Sequence, residues 1–277
     1  MLEKLRLDHR AIVVTGSGRG LGKAMAKALA AAGASVVCSA RTQAQIDETV
    51  DEILGAGGKA VAQRCDVTDS AQVDQLVDRC IDEFGKLDVM VANAGGGGVR
   101  GNWDFWDFPD EAFEAVLATN LKSNFYCSRA AAKHMVHRGE GGVILHTASG
   151  TALRGNRSFA YPTAKGGQIS MMKSTATMLA PHNIRVNTII PGYVAQRPAA
   201  TDEELEIRRQ RGIRIPVRRL GEWWELGPLA VYLASDASAY VTGQSFIIDG
   251  GGLAGGLGPR RLPARKRCCW SWRRGSI

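Results

Sequence analysis

The chain has 277 residues, 45% of them hydrophobic and 33 of them glycine, enough to bury a full core and to form many tight turns. Its formal net charge of +8 is concentrated at one end: residues 250–277 hold Arg260, Arg261, Arg265, Lys266, Arg267, Arg273 and Arg274 and no acid, so the rest is nearly neutral. That excludes a basic nucleic-acid-binding body, and no apolar run approaches the roughly 20 residues that span a bilayer. The first ten residues are too charged for a secretory signal. Cys38, Cys65, Cys80, Cys127, Cys268 and Cys269 show neither a Cys-x-x-Cys nor a Cys/His metal spacing. The expectation is a reduced cytoplasmic protein with no metal site and no membrane or nucleic-acid partner. Residues 253–277 are expected to be a basic, flexible tail able to attract acidic partners only non-specifically.

Residues 11–15 are a short apolar run that suits a fully buried parallel strand. The loop Gly16-Ser17-Gly18-Arg19-Gly20-Leu21-Gly22 follows, then an alanine- and leucine-rich helix over 23–32. Strand, glycine loop and helix open a nucleotide-binding βαβ unit, in which bare backbone amides accept a pyrophosphate. The spacing is G-x-x-x-G-x-G, not the commoner G-x-G-x-x-G. The alternation continues with a strand at 35–39, a helix at 43–54, a strand at 59–65, a helix at 70–84 and a strand at 88–92. A long helical region at 110–137 precedes a strand at 142–147. A helix carrying Tyr161 runs to about residue 180, a strand follows at 184–190, residues 221–234 read as helical, and 245–248 as the last strand. Strands alternating with helices imply an α/β fold, a three-layer doubly wound Rossmann arrangement around a mainly parallel seven-stranded sheet. With no repeat or linker, residues 1–252 read as one domain. Right-handed crossovers place the strand C-terminal ends, and any ligand, along one edge.

Tyr161 and Lys165 stand four apart and share a helix face. Pro162 between them either starts that helix or kinks it. A phenol titrates near 10 and is a poor proton carrier at neutrality, but an ammonium beside it favours the phenolate. Ser149 adds a hydroxyl able to hold an alcohol or carbonyl oxygen against the phenol. Together they suit proton exchange at an oxygen.

In these residues the chain resembles the ordinary-length short-chain dehydrogenase/reductases over nearly all of residues 8–252. Thr15-Gly16-x-x-x-Gly20-x-Gly22 resembles that family's cofactor loop, Asp66-Val67 its adenine-contacting pair and Asn93-Ala94-Gly95 its strand-four motif. Pro191-Gly192 resembles its nicotinamide-side turn, and Asn120, Ser149, Tyr161 and Lys165 fall where its catalytic tetrad falls. The resemblance implies a nicotinamide cofactor held by Gly16, Arg19, Gly20, Leu21, Gly22, Arg41, Asp66, Val67, Asn93, Ala94, Gly95, Tyr161, Lys165, Pro191, Gly192 and Val194. It implies that Tyr161 exchanges the proton, that Lys165 lowers its pKa and binds the ribose, that Ser149 polarises the substrate oxygen, and that Asn120 positions a relay water. It implies a homotetramer as well. Two departures stand out. Gln196 occupies the place of a threonine that touches the cofactor carboxamide, and the interval from Ser149 to Tyr161 is one residue short, placing a trimmed loop at 154–158.

The second strand ends with Ala40 where an acid would bind the adenosine ribose, and Arg41 and Arg19 suit the 2′-phosphate of NADP. NADP(H) is the expected cofactor, with NAD possible. Pocket candidates lie at 99–108, which holds Trp103, Phe105 and Trp106, and at 193–214, a charged, turn-prone stretch that reads as a lid. The aromatics suggest an apolar or ring-bearing carbonyl compound. The leading reading is an oxidoreductase interconverting such a small-molecule carbonyl compound and its secondary alcohol. Tyr240-Val241-Thr242-Gly243-Gln244 and the closing Asp249-Gly250-Gly251 are also similar to 3-oxoacyl-carrier-protein reductases, for which Arg129, Lys133 and Arg138 could meet an acidic carrier. A non-catalytic NADP(H)-binding regulator is the rival class.

Overall fold

The computed structural model describes residues 2–96, 103–154 and 158–255. Seven strands, β1 Ala11–Thr15, β2 Ser35–Ala40, β3 Lys59–Arg64, β4 Val89–Ala92, β5 Gly142–Thr147, β6 Ile184–Pro191 and β7 Ser245–Ile248, form one sheet. Their order is β3-β2-β1-β4-β5-β6-β7, and every pairing is parallel. The helices are α1 Gly20–Ala31, α2 Gln43–Gly55, α3 Ser70–Phe84, α4 Asp110–Leu117, α5 Ser123–Arg138, α6 Ala160–Leu179, α7 Asp202–Gly212 and α8 Gly227–Ala234.

The continuous apolar run of β1 has a simple cause: both of its faces are buried. Ile12 and Val14 pack on one side with Met25 and Leu29 of α1, Ile46 of α2 and Leu233 of α8. Ala11 and Val13 pack on the other with Leu76 and Cys80 of α3, Met135 of α5 and Met172 of α6. The strand order reverses between β1 and β4, all strands staying parallel, so a crevice opens beyond their C-terminal ends. The opposite edge is closed by charge. Asp88, 2% exposed, accepts from the Ala11 amide at 2.9 Å and faces Arg138 at 3.0 Å and Lys86 at 3.2 Å.

Most elements lie close to their sequence-based bounds, but four differ. The helix expected over 110–137 is divided, because residues Ala118–Lys122 form a π turn between α4 and α5. Its signature is the Ser123 amide reaching back to Ala118 O. The stretch 193–214, expected as a charged, turn-prone lid, contains α7. That helix is opened by the Thr201 hydroxyl, which accepts from the Glu204 amide, and it carries three acids in its first turn and Arg209 and Arg211 in its last. A helix polar all round gives no periodic signal to read. Within 221–234 the helical hydrogen bonding begins at Trp223, in a short 3-10 turn capped by Glu222 and Glu225. Finally, α1 starts at Gly20, within the glycine loop itself.

Candidate active site

The glycine loop is braced from two sides. Thr15 Oγ1 accepts from the amides of Asn93 at 3.0 Å and Ala94 at 3.1 Å, and Asn93 Nδ2 donates to Thr15 O at 2.9 Å. The Ser17 hydroxyl accepts from the Ser39 amide at 2.7 Å. Gly16 has φ +68°, and a β-carbon there would stand 2.9 Å from Ala94 Cα; one at Gly22 would run into the Gly16 carbonyl. The loop and the start of α1 therefore lie flush against the strand-four motif. Arg19 sits at the N-cap without a side-chain capping bond, and the first turn holds no acid, so the leading amides of α1 suit an anion. Leu21 packs half-buried on the core.

Asp66 and Val67 divide their work. Asp66 Oδ1 accepts from the Thr68 amide at 3.0 Å and hydroxyl at 2.8 Å, while Val67 is a core residue, 7% exposed. Arg41 is exposed just beyond β2. A third guanidinium, absent from the sequence reading, joins it: Arg64 pairs with Ala40 in the sheet register, and its Nε donates to Arg41 O at 3.1 Å. Register between strands is a non-local fact, though the basic end of the third strand was visible. The braced loop, the uncapped helix start and this basic edge fit a dinucleotide.

Pro162 falls in the first turn of α6, so the helix begins at Ala160, just ahead of the tyrosine, and is not kinked by the ring. Tyr161 and Lys165 share a face, with Lys165 Nζ 5.7 Å from the ring centroid. Lys165 is buried, and its Nζ donates to Thr147 O at 2.8 Å. Burial pushes the ammonium down to about 7. It also pushes the Tyr161 phenol up from its ordinary value, while a hydrogen bond with the Ser149 side chain pulls it back. The ammonium is turned to a main-chain carbonyl at the end of β5, and Ser149 is the neighbour that favours the phenolate. Ser149 also caps the short 3-10 turn Gly150–Leu153, accepting from the Thr151 amide at 3.3 Å and hydroxyl at 3.0 Å.

Asn120 lies in the π turn, 1% exposed. Its Oδ1 accepts from the Gly96 amide at 3.0 Å, and its Nδ2 donates to Gly96 O and Val116 O, both at 3.1 Å. Both amide hydrogens are used, which staples the strand-four loop to the helix. Gly95 leaves a slot beside it: a β-carbon there would stand 2.8 Å from Asn120 Oδ1 and 3.2 Å from Lys165 Nζ. The Asn120 carbonyl accepts from Gln168 Nε2 at 2.7 Å. The sequence reading missed Gln168, although its spacing from Tyr161 and Lys165 continues the same helix face.

Pro191 ends β6 beside Ile248, and the Gly192 amide donates to Ile248 O at 3.0 Å. Val194 then makes an isolated bridge with Gly221. Gln196 lies over the glycine loop with its Oε1 against Gly20. A cavity of about 100 Å³ next to this turn is lined by Tyr193, Val194, Val217 and Asp249 among others. On the other side, Phe159, two residues before Tyr161, sits 4.8 Å from Phe105, 4.8 Å from Phe108 and 5.9 Å from Phe113, ring to ring. Trp103 lies 5.4 Å from Phe108. Of the sequence-stretch 99–108, residues 99–102 lie outside the described residues, as do 155–157 of the trimmed loop and 256–277 of the tail. Arg138 is unavailable to a carrier protein, since it donates to Leu87 O and Gly141 O and pairs with Asp88. Arg129 stacks near Phe125 and Tyr126. Among the described residues no cluster of metal-binding side chains occurs, and no helix is long and apolar enough to cross a membrane.

A family model described as Enoyl-(Acyl carrier protein) reductase matches residues 16–252. The chain is similar to L-rhamnose 1-dehydrogenase (NAD(P)(+)) of Azotobacter vinelandii, 37% identical over 73% of this chain and 78% of that protein. It is 36% identical to 7alpha-hydroxysteroid dehydrogenase of Escherichia coli over 91% of this chain and 97% of that one. A crystal structure of a short-chain type dehydrogenase/reductase from Mycobacterium marinum superposes with a TM-score of 0.81 at 38% identity, covering 90% of this chain and 97% of that chain.

Proposed function

The chain belongs to the short-chain dehydrogenase/reductase family, and from that premise we propose that it interconverts a secondary alcohol and its carbonyl compound with Tyr161 as the acid/base. It is an oxidoreductase acting on CH–OH groups, as the dehydrogenases it resembles are. When bound, the nicotinamide dinucleotide supplies or takes the hydride. In reduction the Tyr161 hydroxyl donates its proton to the carbonyl oxygen; in oxidation the phenolate takes it back. The Ser149 oxygen already accepts two bonds from Thr151, so its one hydrogen is the group that turns from the phenol oxygen to polarise the substrate oxygen when substrate binds. Lys165 spends one N–H on Thr147 and keeps the others for ribose hydroxyls. A water between Asn120 Oδ1 and Lys165 Nζ, in the slot at Gly95, relays protons to the lysine. The observation that carries this reading is the meeting of Tyr161, Ser149 and buried Lys165 beyond the strand ends, beside the glycine loop.

The preferred cofactor is NADP(H). Support comes from Ala40 in place of an acid and from the basic edge of Arg19, Arg41 and Arg64. The substrate is an apolar, ring-bearing carbonyl compound. The two relatives act on a sugar and on a hydroxysteroid by name, and the aromatic wall around Phe159 favours the less polar of these. Residues 1–252 are taken as one catalytic domain. Four buried free thiols, Cys38, Cys65, Cys80 and Cys127, suit the cytoplasm. Exposed Phe125 and Met178 on α5 and α6, with Tyr240 and Ile247 near the far sheet edge, suit a homotetramer.

A panel of ring-bearing ketones and alcohols with NADPH and NADH, followed at the nicotinamide absorbance, tests the reading. Tyr161→Phe should lower turnover at least about 10²-fold while cofactor affinity stays nearly intact. Full turnover in that variant refutes the assignment.

A further inference from the structure

We infer that Gln168 is a positioning residue for the proton-transfer site: by holding the Asn120 carbonyl across the π turn, it aims the Asn120 amide at Gly96 and Lys165. The inference rests on the oxidoreductase reading above. Tyr161, Lys165 and Gln168 occupy one face of α6, and Gln168 is 0% exposed. The π turn removes its carbonyls from the regular ladder, and side chains collect them. Ser123 Oγ donates to Thr119 O at 2.6 Å, and Asn124 Nδ2 reaches Asn120 O at 3.3 Å. Of the two side-chain bonds to Asn120 O the shorter is the one from Gln168, and it ties the turn to another element, the helix bearing the phenol and the amine. Through it, Gln168 fixes the backbone from which Asn120 reaches Gly96, and so the width of the slot facing Lys165.

A second observation separates this role from simple packing. Among the described residues, Gln168 Oε1 is buried without a hydrogen-bond partner. An unsatisfied buried acceptor costs about 1–3 kcal/mol. Methionine or leucine would fill the space without that cost. The amide is thus a poor choice for stability alone, while its donor end makes a 2.7 Å bond to the residue that shapes the site. π turns of this kind occur often at functional sites.

Gln168→Met, near in length but without a donor, supplies the test. Misplacement of a catalytic neighbour should lower kcat about 10- to 100-fold, with cofactor Kd within about twofold of the parent and Tm equal or higher. Hydrogen exchange of the Gly96 amide should speed up. In the Asn120→Ala background the same substitution should change kcat less than about twofold, since effects that act through one residue are not additive. An unchanged kcat, or effects that add with those of Asn120→Ala, overturns the inference. Should Gln168→Met not fold, Gln168→Glu asks the same question, because a carboxyl offers a donor to Asn120 O only when protonated. Lys165 on the same face and His146 on β5 are the titratable groups around it. The ratio of the Glu variant's kcat to the parent's, which cancels their common titration, should rise as pH falls; a flat ratio overturns the inference. Tyr161→Phe run alongside distinguishes the two layers. If that variant is inactive while Gln168→Met is normal, only the positioning role fails; if it is active, the oxidoreductase assignment fails.

Discussion

Replacing Lys165 by methionine should make the protein more stable, and more so in acid than in alkali. The amine is buried with no carboxylate partner among the described residues, and burial carries its pKa from 10.5 to about 7. In the unfolded chain it titrates at its ordinary value. Between those two pH values the unfolded state binds more protons, so the lysine's penalty to the fold is full below pH 7 and fades as pH rises toward 10.5. At about 1.4 kcal/mol per pH unit, that penalty is roughly 5 kcal/mol at about pH 6 and roughly 2 kcal/mol at about pH 9. Losing the bond to Thr147 O takes back about 1 kcal/mol at either pH. Urea unfolding of parent and Lys165→Met at both pH values should therefore show a stabilisation that shrinks by about 2–3 kcal/mol on going from pH 6 to pH 9. Turnover should be lost in the same variant, the usual trade between a strained functional group and stability. A variant less stable than the parent at pH 6, or a difference independent of pH, would refute the reasoning.

The basic edge at β2 and β3 makes a selectivity prediction. Arg41→Ala should weaken NADPH binding about 10- to 100-fold, the worth of one charge-assisted contact, and leave NADH binding within about twofold; equal losses for both cofactors, read by fluorescence titration, would count against it. Arg64→Ala should reproduce part of that loss, because its Nε holds the Arg41 backbone. At the opposite edge of the sheet, Asp88→Ala should cost about 3–5 kcal/mol, since it strands half-buried Arg138 and the Ala11 amide. Its kcat per folded molecule should be unchanged; a normal denaturation midpoint would contradict this.

Much of the fold was legible because its signals are local. An apolar run such as 11–15 reports burial on both faces, and Ser70–Phe84 carries its own limits, an Asp69 cap and a Gly85 stop at φ +79°. The glycine loop and the spacing of Tyr161 and Lys165 likewise belong to single elements. α7 was not legible, because its inward face carries Glu204, Arg208 and Gly212 in place of an apolar stripe, and the π turn was not, because it breaks a helix without proline or glycine.

By itself the sequence determined the alternation of strands and helices, the cradle beyond the first strand and the residue types able to exchange a proton. Where Lys165 points, which hydroxyl tunes Tyr161, that Asn120 has no amide hydrogen to spare, and that Arg64 stands beside Ala40 were decided only by tertiary structure. Each of these depends on burial or on a hydrogen bond between elements far apart in the chain, and a hydrogen bond or a desolvation energy exists only once packing has brought the groups together.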